Sequence, residues 1–178
     1  MNNSNRDRFA LVNGQLVLPE RVVTGMALVI DTAEAGGKIA DILQEDQLPS
    51  EILRVDVGGR IITPGLIDIH THGALGYTFN EPTDQAFDAI LQENARRGVT
   101  GVLATVATAP IEDLTQVFDF IRQWMASSHA GAQVFGAHLE SPFISPAQCG
   151  ALDPQNLYLP DDPRADQILA YADVIRIL

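Results

Sequence analysis

Lysine occurs once in these 178 residues, at Lys38, and all bases together number 11 against 23 Asp and Glu. The net charge of −12 leaves no basic face to neutralise phosphates, which argues against a nucleic-acid partner. Cys149 is the single cysteine, so no internal disulfide can form, and the chain suits a reducing compartment. Long apolar runs are missing too. The most apolar window, Val99 to Ile111, is too short to span a bilayer and is interrupted by threonines and Pro110. The polar start, Met1 to Arg8, carries no signal-peptide pattern. These absences predict a soluble, cytoplasmic protein without a membrane partner.

Histidine is also sparse, with four residues, yet two of them stand together in Asp68-Ile69-His70-Thr71-His72-Gly73. The hexapeptide ends the mostly apolar run Ile61 to Ile69, which reads as a strand. Successive strand side chains point to opposite faces, so alternation places Asp68, His70 and His72 on one face. Two imidazoles about 6.5 Å apart by strand rise can reach one metal ion or a close pair.

Residues 8 to 62 read as short strands broken by turns: Phe9–Val12, Gln15–Leu18, Met26–Asp31 and Ile52–Val57. Asn13-Gly14 predicts a hairpin between the first two, and Gly36-Gly37 and Gly58-Gly59 are further punctuation. The rhythm then changes. Strand-like runs begin near Gly65, Thr100, Gln133 and Asp173, with helical patterns at Thr83 to Arg97, from Pro110, and around Pro163 to Ala172. Ile111, Leu114, Val117, Phe118, Ile121, Trp124 and Met125 recur at helical spacing, a core stripe.

Repeated βα units imply a parallel sheet with right-handed crossovers, and eight of them would close a (β/α)₈ barrel. Three complete units and a fourth strand fit, which predicts an α/β fold: a partial (β/α)₈ barrel over 63–178 after a small β unit over 1–62. The end of the chain within the strand Val174–Leu178 reads as that of a fragment with exposed strand edges.

Val134 to Glu140 forms the third barrel strand, with Glu140 at the carboxyl end, where barrel active sites lie and where His70 and His72 also fall. Two imidazoles and a carboxylate suit zinc or a similar divalent ion, one or two per site. His138 sits one layer deeper, as a core-lining or ligand-supporting residue. Asp68 can orient a histidine, or equally pair with the backbone or an arginine neighbour, and is not read as catalytic. His129 sits in a small-residue turn exposed to solvent, and Cys149 has no base beside it.

Pro64 to Gly73, Gly98-Val99-Thr100-Gly101 and His138-Leu139-Glu140-Ser141-Pro142-Phe143-Ile144-Ser145 together resemble the amidohydrolase superfamily. The last string narrows the resemblance to the N-acetylglucosamine-6-phosphate deacetylase family, of which this chain would be the amino-terminal portion. The resemblance implies a β-sandwich domain beside a metal-dependent barrel, Glu140 as a metal ligand, and His70 and His72 as an additional ligand pair. It implies hydrolysis of the acetamide of N-acetylglucosamine 6-phosphate in a homodimeric enzyme. The general acid/base aspartate is expected beyond Leu178.

Two residues depart from the family pattern. Ser141 replaces a glycine. Leu152, after Gly150-Ala151, replaces a histidine at the substrate-binding position, so Ala151 and Leu152 mark where the sugar would contact this loop. Other readings are a different amidohydrolase, such as an N-acyl amino acid deacylase or an isoaspartyl dipeptidase-like enzyme, or a non-catalytic truncated product. The Ser145 to Asp162 loop contains no Lys or Arg to hold a phosphate.

Overall fold

The computed structural model describes residues 7–33, 37–140 and 142–178. Residues 1–6, the Gly36 of the Gly-Gly turn signal, and Ser141 lie outside them. The chain divides into two compact units, Met1–Pro64 and Gly65–Leu178.

The first unit is all β. Its strands are β1 (Arg8–Val12), β2 (Gln15–Val17), β3 (Val22–Val23), β4 (Met26–Asp31), β5 (Lys38–Gln44), β6 (Leu53–Asp56) and β7 (Ile61–Ile62). They form two sheets, ordered β5-β4-β1-β6 and β3-β2-β7. Alternation on β1 turns Ala10 and Val12 inward, where they meet Ala27, Val29, Leu48 and Ile52.

The hairpin predicted at Asn13-Gly14 does not form. β1 pairs antiparallel with β4 and parallel with β6, while β2 pairs with β3 and β7. Asn13, at φ 56°, is instead the corner where the chain leaves one sheet for the other. Tertiary bonds hold that corner: the Asn13 N–H donates to Glu45 Oε1, and its Nδ2 donates to Asp56 Oδ1, both at 2.8 Å. The turn dipeptide signalled its backbone conformation correctly, and the partner of each strand was decided elsewhere.

The second unit is a parallel half-barrel with helices packed against it. Its elements are β8 (Leu66–Thr71), β9 (Gly73–Ala74), β10 (Tyr77–Thr78), α1 (Asp84–Arg96), β11 (Val99–Val106), α2 (Ile111–Met125), β12 (Gln133–Leu139), α3 (Ala165–Leu169) and β13 (Ile175–Ile177). The main sheet is ordered β13-β12-β11-β8, so each strand lies beside the one that precedes it through a helix. A small β9–β10 hairpin, which the sequence did not signal, follows the histidine pair.

Local chemistry accounts for the helix ends. The Thr83 hydroxyl caps α1 by accepting from the Ala86 N–H, and Gly98, at φ 83°, ends the turn after it. Pro110 opens α2. The apolar stripe of α2 is buried, Trp124 included, against Phe87, Ile90, Leu91 and the sheet residues Val102, Val106 and Leu139. β11 is covered along most of its length, which is why its sequence is continuously apolar. β8, the outer strand of the sheet, leaves Leu66, Ile67 and Ile69 exposed.

Candidate metal centre

Strand ends bring three of the expected residues together. β8 delivers His70, the residue just after it is His72, and Glu140 follows β12. The ladder continues past the end of β12, where the Glu140 N–H donates to the Val106 carbonyl at 2.9 Å. Beyond His72 the chain turns at once into the β9–β10 hairpin. A side chain at Gly73 would meet the Tyr77 carbonyl at 2.1 Å, so only glycine admits that approach.

The Glu140 carboxylate spans the two imidazoles. Its Oε1 lies 3.6 Å from His70 Nε2, and its Oε2 lies 3.3 Å from His72 Nε2. One donor atom from each residue lies within 4.8 Å of the others, and among the described residues this is the one such group of His, Cys, Asp and Glu. Both separations exceed the 2.7–2.9 Å expected of a direct charge-assisted hydrogen bond. Two imidazoles and a carboxylate gathered this closely fit a divalent metal ion, with coordination positions left for other ligands. All three side chains are partly open to solvent, so the cluster is accessible.

Asp68 does not join the cluster. Register against β11 shifts between the pairs Val102–Asp68 and Ala104–Thr71, a bulge that breaks the expected alternation just before His70. The Asp68 carboxylate instead accepts the His70 backbone N–H at 3.0 Å, holding the peptide rather than an imidazole ring.

His138 packs beside His70, with ring centroids 4.7 Å apart and planes at 79°. Burial holds the His138 imidazole below its ordinary pKa, and the neighbouring His70 and His72 add to that effect while Glu140 opposes it. His129 is exposed as expected, yet its ring stacks on Trp124 at 3.5 Å between centroids. Ala151 and Leu152 lie in the loop between short 3₁₀ turns at Pro146–Gln148 and Pro154–Asn156. There the Leu152 N–H donates to the Cys149 carbonyl at 3.0 Å.

Two polar residues around the centre escaped the sequence reading. Thr105, fully buried in β11, places its Oγ1 3.2 Å from His138 Nδ1. Asn80 staples two loops, donating from Nδ2 to the Ala107 carbonyl and accepting the Ala107 N–H, each at 2.9 Å. A hydroxyl set between the apolar Ala104 and Val106 was the available signal for Thr105. Asn80 had none, because its partner is set by the fold.

No family model matches the chain. An N-acetylglucosamine-6-phosphate deacetylase of Haemophilus influenzae is 28% identical over 169 residues, covering 94% of this chain and 43% of the relative. An N-acetylgalactosamine-6-phosphate deacetylase of Escherichia coli O157:H7 is 30% identical over 136 residues, 76% of this chain and 35% of that protein. Among solved structures, N-acetylglucosamine-6-phosphate deacetylase from Pasteurella multocida superposes with a TM-score of 0.84 at 28% identity, over 94% of this chain and 43% of that one. The chain thus spans less than half the length of the relatives it matches.

Proposed function

We propose that this chain, a relative of N-acetylglucosamine-6-phosphate deacetylases over 94% of its length, contributes the His70–His72–Glu140 side of a zinc centre to an amino-sugar-phosphate deacetylase. The observation that carries the reading is the Glu140 carboxylate facing a different imidazole with each oxygen. A bound zinc would supply Lewis acidity, polarising the acetamide carbonyl and lowering the pKa of a water molecule. Glu140 would contribute the negative charge that retains the cation, and His70 and His72 would hold it through imidazole nitrogens. Asp68 fixes the His70 peptide, and the tight Gly73 turn fixes the direction in which His72 leaves the strand.

The substrate would be N-acetylglucosamine 6-phosphate, hydrolysed to glucosamine 6-phosphate and acetate, with the sugar approaching the Ala151–Leu152 loop. The aspartate that moves the proton would come from the part of the enzyme that this chain does not span. The relatives include an N-acetylgalactosamine-6-phosphate deacetylase, and Leu152 has no side-chain donor for a sugar or phosphate, so the galactosamine isomer is the second candidate. The whole enzyme is proposed to be a cytoplasmic homodimer, with residues 1–62 belonging to a β-sandwich domain and 63–178 to the barrel.

The test is acetate release from the two N-acetyl sugar phosphates by the protein in which these residues occur, with and without zinc. Zinc-dependent release from the glucosamine compound, lost in E140Q, is the expected result. Zinc binding without acetate release from either sugar would sink the deacetylase assignment. Release from the galactosamine compound alone would reassign the substrate.

A further inference from the structure

One imidazole at the centre has no part in the chemistry above. His138 lies on β12, and its ring meets that of His70 edge to face, with centroids 4.7 Å apart. Its Nδ1 lies 3.2 Å from the hydroxyl of Thr105 on β11. Thr105 is fully buried among the apolar residues of its strand, where an unbonded hydroxyl would be costly. His138 on β12 therefore links Thr105 on the neighbouring β11 to His70 on β8, on the far side of β11.

A hydrogen bond at Nδ1 stops an imidazole from flipping about its terminal torsion, which is otherwise broad, and a threonine hydroxyl, able to donate or accept, forms that bond with either tautomer. A fixed His138 ring offers the His70 ring one surface to pack against. His70 is then held at two points, its peptide by Asp68 and its ring by His138, with Nε2 left facing Glu140.

We propose that Thr105 is a positioning residue: its hydroxyl fixes the His138 ring, which in turn sets the orientation in which His70 presents Nε2 to a divalent cation. This role rests on the metal reading of His70, His72 and Glu140. Groups that orient metal-binding histidines typically change metal affinity by about 10–100-fold, and Thr105, one contact further out, belongs at the lower end.

Cobalt(II) serves as the probe, because its visible spectrum reports ligand geometry independently of turnover. The protein in which these residues occur, as wild type, T105V, T105S and H138F, is titrated with cobalt(II), and the histidine rings of each metal-free form are followed by NMR. In T105V, the near-isosteric loss of the hydroxyl should shift the ring signals of both His138 and His70. It should also weaken cobalt(II) binding roughly tenfold and change the visible band. T105S keeps the hydroxyl and should restore all three. H138F removes the bonded nitrogen from the other partner, so adding T105V to H138F should cost nothing more. H138F alone, which leaves Thr105 unchanged and should shift the His70 ring signals and weaken cobalt(II) binding to a similar extent, carries the test if T105V folds poorly.

Wild-type-like binding and spectrum in T105V would overturn the positioning role while leaving the metal site standing. So would a T105S variant as weak as T105V, since packing rather than the hydroxyl would then be responsible. A wild-type protein, containing this chain and the part of the enzyme that it does not span, that binds no cobalt(II) would remove the metal reading, and the role of Thr105 with it.

Discussion

Arg122 grips Asp173 with two parallel bonds, Nε to Oδ2 at 2.7 Å and Nη2 to Oδ1 at 2.8 Å. This fork ties α2 to the turn that leads into β13, and the guanidinium also lies over the Tyr171 ring at 4.7 Å. Lysine can reproduce neither the fork nor the stacking. The pair is solvent-exposed, so its contribution should be small and sensitive to salt. R122K is expected to lower the melting temperature by no more than about 2–4 °C at low ionic strength. The difference from wild type should shrink in 1 M salt. A large drop that salt leaves unchanged would mean that stacking on Tyr171, rather than charge, is the main contribution.

What the sequence disclosed follows the range of the interactions concerned. α1 and α2 were legible because an apolar stripe, the Thr83 cap and Pro110 are local signals that packing then reinforced. β11 and β12 were legible as largely buried apolar runs, and β8 as an apolar run although it is the exposed outer strand. β5 was not, since Lys38–Gln44 is a mostly exposed edge strand whose identity comes from pairing with β4. Asn13-Gly14 misled for the same reason: strand partnership is a long-range choice. At the candidate centre, His70, His72 and Glu140 could be read from strand ends. For Asp68 the sequence left a histidine, the backbone or an arginine as partners, and the structure shows a bond to the His70 backbone N–H. Thr105 stayed hidden because its importance lies in a neighbour 33 residues away.

A pH prediction concerns the loop between β12 and α3. Asp162 Oδ2 accepts from Arg164 Nη2 at 2.6 Å, and Oδ1 accepts the Arg164 backbone N–H at 2.9 Å. The guanidinium bond, followed by the backbone bond, lowers the Asp162 pKa to about 2. Because the folded value lies below the unfolded value of roughly 3.9, the stabilisation is fully present above that value. It is lost as pH falls through about 2. A carboxyl-carbon NMR titration should find Asp162 near that value, and R164A should return it toward the ordinary carboxylate range. An unchanged midpoint in R164A would contradict the assignment of cause.

Gly65 tests how closely β8 and β11 approach. A side chain there would place its Cβ 2.0 Å from Thr100 Oγ1 and 2.6 Å from Thr100 Cβ. G65A should therefore destabilise the chain by about 1–3 kcal/mol, the usual cost of forcing atoms into a filled space. Rotating Thr100 cannot relieve the clash, because its own Cβ is one of the atoms struck. T100G should rescue G65A by more than the two single effects would predict, measured as a non-additive double-mutant cycle in chemical denaturation. Wild-type stability in G65A alone would show that the strands separate without cost.

Zinc should stabilise this chain through Glu140 more than through either histidine. A cation that binds the folded state alone raises stability by about 2.7 kcal/mol at a concentration 100 times its dissociation constant. In a chain of this size that corresponds to an increase of roughly 5–10 °C in melting temperature. Glu140 is within 3.6 Å of His70 Nε2 and 3.3 Å of His72 Nε2, and it supplies the negative charge of the cluster. E140Q keeps the shape but removes the charge and a ligand oxygen, so the zinc-induced rise should disappear. H72N leaves Glu140 and His70 in place and should retain part of it. Scanning calorimetry with zinc, and again after a chelator, distinguishes these cases. An undiminished rise in E140Q would place the bound zinc somewhere other than between Glu140 and the two imidazoles.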